Sequence, residues 1–251
     1  MLALITATRN SISTLADALA SIENIRDRVK SIFVDGGSTD GVVEYLKSHI
    51  EGTGNAVLLA QKGTGLYQAL NQGIQAALDD PEVTHIGMLH GDDKLIPLAF
   101  ERYLSVIESD PALVFYSDIE FHDPSGMRVR NWDSGEFSRF KLNTGWMPPH
   151  TGMIVAKYVY QKLGLYNPDF GTASDYEWVV RVLSEFGENS RYFPERTVTM
   201  RVGGASSASL KARLRANAMD GKVWQGRSWL QSFAIRLLKP MRKLGQFILI
   251  K

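Results

Sequence analysis

The chain has 251 residues, of which 44% are hydrophobic and 22% charged, with a net charge of +1 and no cysteine. That length holds one large α/β domain, or a domain with an appendage, and the composition excludes disordered and fibrous classes. Without cysteine there is no disulfide, no thiolate metal site and no cysteine nucleophile, so any metal is held by oxygen or imidazole.

The opening MLALITATRN alternates as a strand does and lacks the basic start and long apolar stretch of a secretory leader, so a cytoplasmic protein is expected. No apolar run reaches the roughly 18 residues needed to span a bilayer, the longest candidates being broken by Arg236, Lys239, Pro240, Arg242 and Lys243. From residue 1 to about 120, strand-like runs alternate with helical ones. LALITAT precedes TLADALASI, SIFVDGG precedes VVEYLKSHI, AVLLA precedes LYQALNQGIQAAL, THIGMLH precedes LIPLAFERYLSVI, and LVFYSDIEF closes the series. Repeated strand then helix predicts an α/β, Rossmann-like, mostly parallel sheet with helices on both faces.

Ligands gather at the carboxyl ends of strands in such sheets. Those ends are expected at Thr8-Arg9-Asn10, Asp35-Gly36-Gly37, Gln61-Lys62-Gly63, His90-Gly91-Asp92-Asp93 and Asp118. Beyond residue 120 come a strand GMRVRNW after the turn Asp123-Pro124-Ser125-Gly126, an irregular stretch over 133–150, and a strand GMIVAKY. A short helix ending near Gly164 and a helix over 174–186 follow. The division expected is a main domain over 1–206, in halves 1–120 and 121–206, followed by a helical tail over 207–251.

Three constellations carry chemistry. In VDGGSTDG (34–41) a strand delivers Asp35 to its tip, two glycines allow a sharp turn, and Ser38 or Thr39 is placed to cap the next helix. In HGDD (90–93) two adjacent carboxylates repel unless a cation or donors offset them, which suits Mg²⁺ or Mn²⁺; helix capping by Asp92 and Asp93 explains them equally well. In SDYEW (174–178) Asp175 is either a capping acid or a base for an attacking hydroxyl. Gly63-Thr64-Gly65 is an incomplete dinucleotide fingerprint, because Gln68 stands at its third glycine position.

Together with ITATRNSISTLADALASI, KGTGLYQALNQGI, PPHTGMIVAKYVYQKLGLYNPDF and RVGGASS, these motifs over residues 1–207 resemble the family 2 glycosyltransferases of the GT-A fold, especially bacterial members that build surface polysaccharides. The resemblance implies an inverting transfer from a nucleotide sugar, a UDP-sugar first and a GDP- or dTDP-sugar next, to a glycan or lipid-linked glycan. It implies nucleotide contacts from Thr6, Thr8 and Asp35, with donor contacts from Lys62, Tyr67, Asp93 and Arg201. It also implies Asp92 as ligand to Mn²⁺ or Mg²⁺, Asp175 as catalytic base and His150 on the acceptor side. His90 and Ser174 stand where many members carry acids.

The tail over 207–251 has ten Lys or Arg and one acid, a net +9, against 18 bases and 26 acids, a net −8, in the rest. Trp229, Leu230, Phe233, Ile235, Leu237, Leu238, Phe247, Ile248 and Ile250 interleave with the bases as in helices lying on anionic membranes. Peripheral attachment to the inner face of the cell membrane is therefore expected, with packing on the catalytic domain as the competing explanation. Nucleic acid is not an expected partner, because the body is acidic and the bases sit among aliphatic residues. A nucleotidyltransferase, which wants a glycine-rich basic loop after its first strand, and a catalytically inactive sugar-nucleotide-binding protein are the alternatives.

Overall fold

A computed structural model describes residues 1–202, 219, 222–224, 235, 238 and 239. In chain order the elements are β1 (Leu2–Thr8), α1 (Ile12–Ile22), β2 (Val29–Asp35), α2 (Val42–Ile50), β3 (Ala56–Ala60), α3 (Leu66–Asp79), β4 (His85–Met88), β5 (Lys94–Leu95) and α4 (Pro97–Ser109). Then come β6 (Val114–His122), β7 (Arg128–Trp132), α5 (Arg139–Asn143), β8 (Met153–Ala156), α6 (Lys157–Leu163), α7 (Ser174–Phe186) and β9 (Ser190–Arg201).

The strands form one sheet in the order β3-β2-β1-β4-β8-β6-β9-β5, with β7 also paired to β6. Its first four strands are parallel, with α1, α2 and α3 leading to β2, β3 and β4, as the alternating sequence predicts. The expectation of a mostly parallel sheet fails beyond β4. There β8 runs antiparallel to both β4 and β6, β7 antiparallel to β6, and β5 antiparallel to β9, while β6 and β9 are parallel. The reason is connection length. The tight turn at residues 123–127, closed by the Asp123 carboxylate accepting the N–H groups of Ser125 (2.9 Å) and Met127 (3.0 Å), can only send β7 back along β6.

Helices do cover both faces. Along β1 the side chains alternate, Ala3 and Ile5 packing with α3 and α7, and Leu2 and Leu4 packing with α1, α2 and α4. Asp118, expected at a strand end, instead lies mid-strand in β6, buried and held by the Ser134 N–H (2.7 Å) and the Tyr192 hydroxyl (2.9 Å). It serves packing.

In the tail, Trp224 and Ile235 are fully buried in the cluster that contains Tyr176 and Trp178. Ile235 belongs to the apolar row expected to face a membrane, and it is occupied inside the protein instead; Leu238 is exposed. The other residues of that row lie outside the described residues. Among the described residues no helix is long and apolar enough to cross a membrane.

Candidate active site

The carboxyl ends of β1 and β2 form a floor knitted by short polar side chains. Thr6 and Thr8 are buried, and the Thr8 hydroxyl meets that of Ser11. The Asp35 carboxylate accepts the N–H groups of Gly37 (3.0 Å) and Ser38 (3.1 Å) and the Ser38 hydroxyl. Ser38 therefore serves Asp35 rather than capping α2, and the Val42 N–H at that helix start is met by Asp40 Oδ1 at 3.2 Å. Asn10 joins the two loops, its side chain accepting the Thr39 N–H and its own N–H reaching Ser38 Oγ, each at 2.9 Å. Lys62 is exposed in the loop between β3 and α3, where its N–H donates to Gln72 at 2.7 Å.

HGDD forms the loop from β4 to β5. Gly91 lets this loop settle on the floor, because a Cβ there would lie 2.9 Å from Ser11 Oγ and 3.4 Å from Thr8 Oγ1. The two aspartates part company. Asp92 is exposed, whereas Asp93 is 1% exposed and its Oδ2 has no hydrogen-bond partner among the described residues. Burial, with the neighbouring Asp92 charge, pushes the Asp93 carboxyl well above the usual range. Neither caps α4, which begins at Pro97 after Ile96 with no side-chain cap. Pairing of β5 with β9 brings Arg201 to this loop, where its backbone N–H faces the Asp93 carboxylate and its side chain is exposed.

A third group meets from distant parts of the chain. His150, in the turn before β8, has Nδ1 3.3 Å from Asp175 Oδ2 at the start of α7, and its Nε2 is 3.3 Å from His90 Nε2. Burial first, and then His150, push the His90 imidazole down to about 3, so His90 is neutral at ordinary pH. At the other end of this line the His150 Nδ1–H donates to Asp175 Oδ2. Burial would raise the Asp175 carboxyl, but the His150 bond and charge, the Lys239 charge and the Tyr176 N–H (2.7 Å) together bring it below the usual range. Asp175 is thus an ionised carboxylate whose side chain is still 23% exposed, against 18% for His150. Tyr67, on α3, stands beside it, its phenol pushed well up by burial and by the Asp175 charge.

Residues 3–162 match the model described as Glycosyl transferase family 2. The chain belongs to this family. Over 194 residues this glycosyltransferase family 2 member is 28% identical to an uncharacterized glycosyltransferase of Mycobacterium tuberculosis, an alignment covering 70% of the chain. The chain spans 66% of that relative's length. Its fold is similar to that of S. aureus TarS 1-349 in complex with UDP-GlcNAc, with a TM-score of 0.68 at 12% identity, covering 97% of this chain and 72% of the other. It is also similar to the mannosyltransferase PcManGT of Pyrobaculum calidifontis in complex with GDP-Man and Mn2+, with a TM-score of 0.63 at 14% identity, covering 96% and 71%.

Among the site residues expected in this family 2 chain, His150 and Asp175 touch, Tyr67 flanks them, and Asp92, Asp93 and Arg201 share the HGDD loop region. Thr6, Thr8 and Asp35 line the floor, and Lys62 stands apart on its exposed loop. The sequence reading missed Asn71, whose amide grips the Tyr166 backbone through two bonds (2.8 and 3.0 Å), so that Tyr166 packs on Tyr67 and Trp178. It also missed His90 as partner of His150. The available signal was the histidine standing in an acidic position.

Proposed function

We propose that this chain transfers a sugar from a nucleoside diphosphate to an acceptor hydroxyl, with inversion at the sugar carbon. The observation that carries the reading is the His90–His150–Asp175 line, which ties an ionised, partly exposed carboxylate to the same loop that displays Asp92. As the acceptor hydroxyl attacks, Asp175 takes its proton, and His150 holds the carboxylate in place by donating to Oδ2. Tyr67 and Tyr166 face Asp175, whose side chain stays 23% exposed and so within reach of an acceptor.

A divalent cation fits the chemistry of the HGDD loop. Among the described residues no group of three or more acidic or imidazole side chains forms a cage of its own. Mg²⁺ and Mn²⁺, however, commonly use one or two carboxylates and complete their shell with phosphate and water, and exposed Asp92 offers such a hard oxygen ligand. When bound, the ion would balance charge developing on the leaving diphosphate. Arg201 adds a second positive charge at the same loop.

A UDP-sugar is the first donor to test and GDP- or dTDP-sugars the next, since solved relatives in this fold are in complex with UDP-GlcNAc and with GDP-Man. The strongly basic tail supports a lipid-linked glycan acceptor at an anionic surface. Incubating the chain with each donor, with Mn²⁺ or Mg²⁺ and with glycan acceptors, while following released nucleoside diphosphate, tests the reading. Metal-stimulated donor hydrolysis or transfer supports it. Tight donor binding with no turnover under every condition overturns it in favour of a binding module.

A further inference from the structure

The tail reaches the elements that carry the proposed base. Lys239 is only 8% exposed, and its Nζ lies 3.2 Å from the centroid of the Tyr176 ring, a cation on an aromatic face. The Trp224 indole N–H donates to the Tyr176 hydroxyl at 2.9 Å. Tyr176 directly follows Asp175, and its backbone N–H is one of the donors to the Asp175 carboxylate. Tyr176 is therefore fixed at its ring face and its hydroxyl by the tail while its N–H fixes Asp175.

The same stretch of tail touches the segment leading to His150. Gly145 has φ +85°, and a Cβ there would lie 3.1 Å from Lys239 Cβ and 3.3 Å from Ile235 Cγ2, so this loop is shaped to admit the tail backbone. One docked segment thus braces both partners of the His150–Asp175 pair, α7 through Tyr176 and the preceding loop through Gly145.

We propose that the C-terminal tail completes the active site, with Lys239 as a positioning residue that holds Tyr176 and places a fixed positive charge beside Asp175. The proposal rests on the reading of Asp175 as the base. Electrostatics agree with the geometry, since Lys239 is among the groups holding the Asp175 carboxyl low. Among the described residues, the other titratable groups facing Asp175 are His150, Tyr67 on α3 and Tyr166 before α7, with His90 one ring further out. Of these groups Lys239 alone comes from the tail. A tail in this role belongs to catalysis even where no membrane is present.

The test compares full-length wild type, Lys239→Met and Lys239→Arg by two measurements: turnover against pH with the active donor, and the titration midpoint of the Asp175 carboxylate followed by ¹³C NMR. Lys239→Met should lower kcat by roughly tenfold, the scale of one lost charge contact, and leave the donor KM within about twofold. It should move both the acid limb of the rate profile and the Asp175 midpoint upward, and Lys239→Arg should restore both. Thermal unfolding run in parallel separates this from loss of fold, since a misfolded variant would not show an intact but shifted carboxylate titration. Coincidence of the Lys239→Met midpoint with that of wild type overturns the proposal. If wild type turns over no donor, the reading of function fails, and the carboxylate titration still decides whether Lys239 acts on Asp175.

Discussion

The floor at the ends of β1 and β2 and the His150–Asp175 pair are both polar and both close to the same edge of the sheet, yet they are built in opposite ways. Asp35 is held by atoms two and three residues along its own chain, the Gly37 and Ser38 N–H groups and the Ser38 hydroxyl. Asp175 is held chiefly by side chains from other elements, His150 and Lys239, with one adjacent N–H. A carboxylate pinned by its own loop is fixed as soon as the strand ends. One pinned by remote groups keeps its charge and place only when several elements have docked, and can therefore be tuned by any of them.

The largest effect expected is at the remote-held carboxylate. Asp175→Asn should leave donor affinity nearly intact and cut turnover by roughly 10²-fold or more, the scale of lost general-base help; normal turnover would assign the base elsewhere. Asp92→Asn should weaken Mn²⁺-dependent donor binding by about tenfold or more, and an unchanged Mn²⁺ titration removes it from the ligand set. His150→Gln should act through Asp175. As the proposed base, Asp175 works only when deprotonated, so the rate should fall as pH drops through its pKa. Loss of the His150 charge and bond raises that pKa and carries the acid limb to higher pH. A pH–rate profile in which only the amplitude drops would leave His150 a packing residue. The smallest effect is expected on the floor, where Ser38→Ala removes a hydroxyl that serves Asp35 and the Asn10 N–H, at a cost of about 1–2 kcal/mol in urea unfolding. If Ser38→Ala disturbs turnover more than His150→Gln, the contrast between the two regions is misplaced.

The same contrast explains what could be read in advance. Strands and helices up to β4 appear where apolar alternation and turn residues put them, because their signals lie within about a dozen residues. So do β6, β8 and α7. β9 was not foreseen. SRYFPERTVTMR carries Pro194 and several charges, and it becomes a strand through pairing with β6, which needs register shifts around Asp118. β5, two residues long, exists by virtue of β9. At the site, Asp35, Asp92 and Asp175 were visible as residue types in their motifs. The separation of exposed Asp92 from buried Asp93 was not, since the surroundings of Asp93 include the Arg201 N–H from the far end of β9. Nor was the His90–His150 contact, which joins residues 60 positions apart.

β8 is the strand whose direction was least expected, and it sits between β4 and β6. Among the described residues, the strands up to β4 are joined to those built on β6 within the sheet through the pairs His85↔Ala156, Ile86↔Val155 and Gly87↔Ile154 on one edge of β8 and Val114↔Val155, Phe115↔Ile154 and Tyr116↔Met153 on the other. β8 is thus the hinge pin that a chimera joined after α6 would leave intact, because β4, β8 and β6 all precede that joint. Such a chimera would keep His150 and the Gly145 loop from one parent and take the carboxylate, the Tyr176 equivalent and the tail from the other, so the β6–β9 register and the His150–Asp175 contact become its seam.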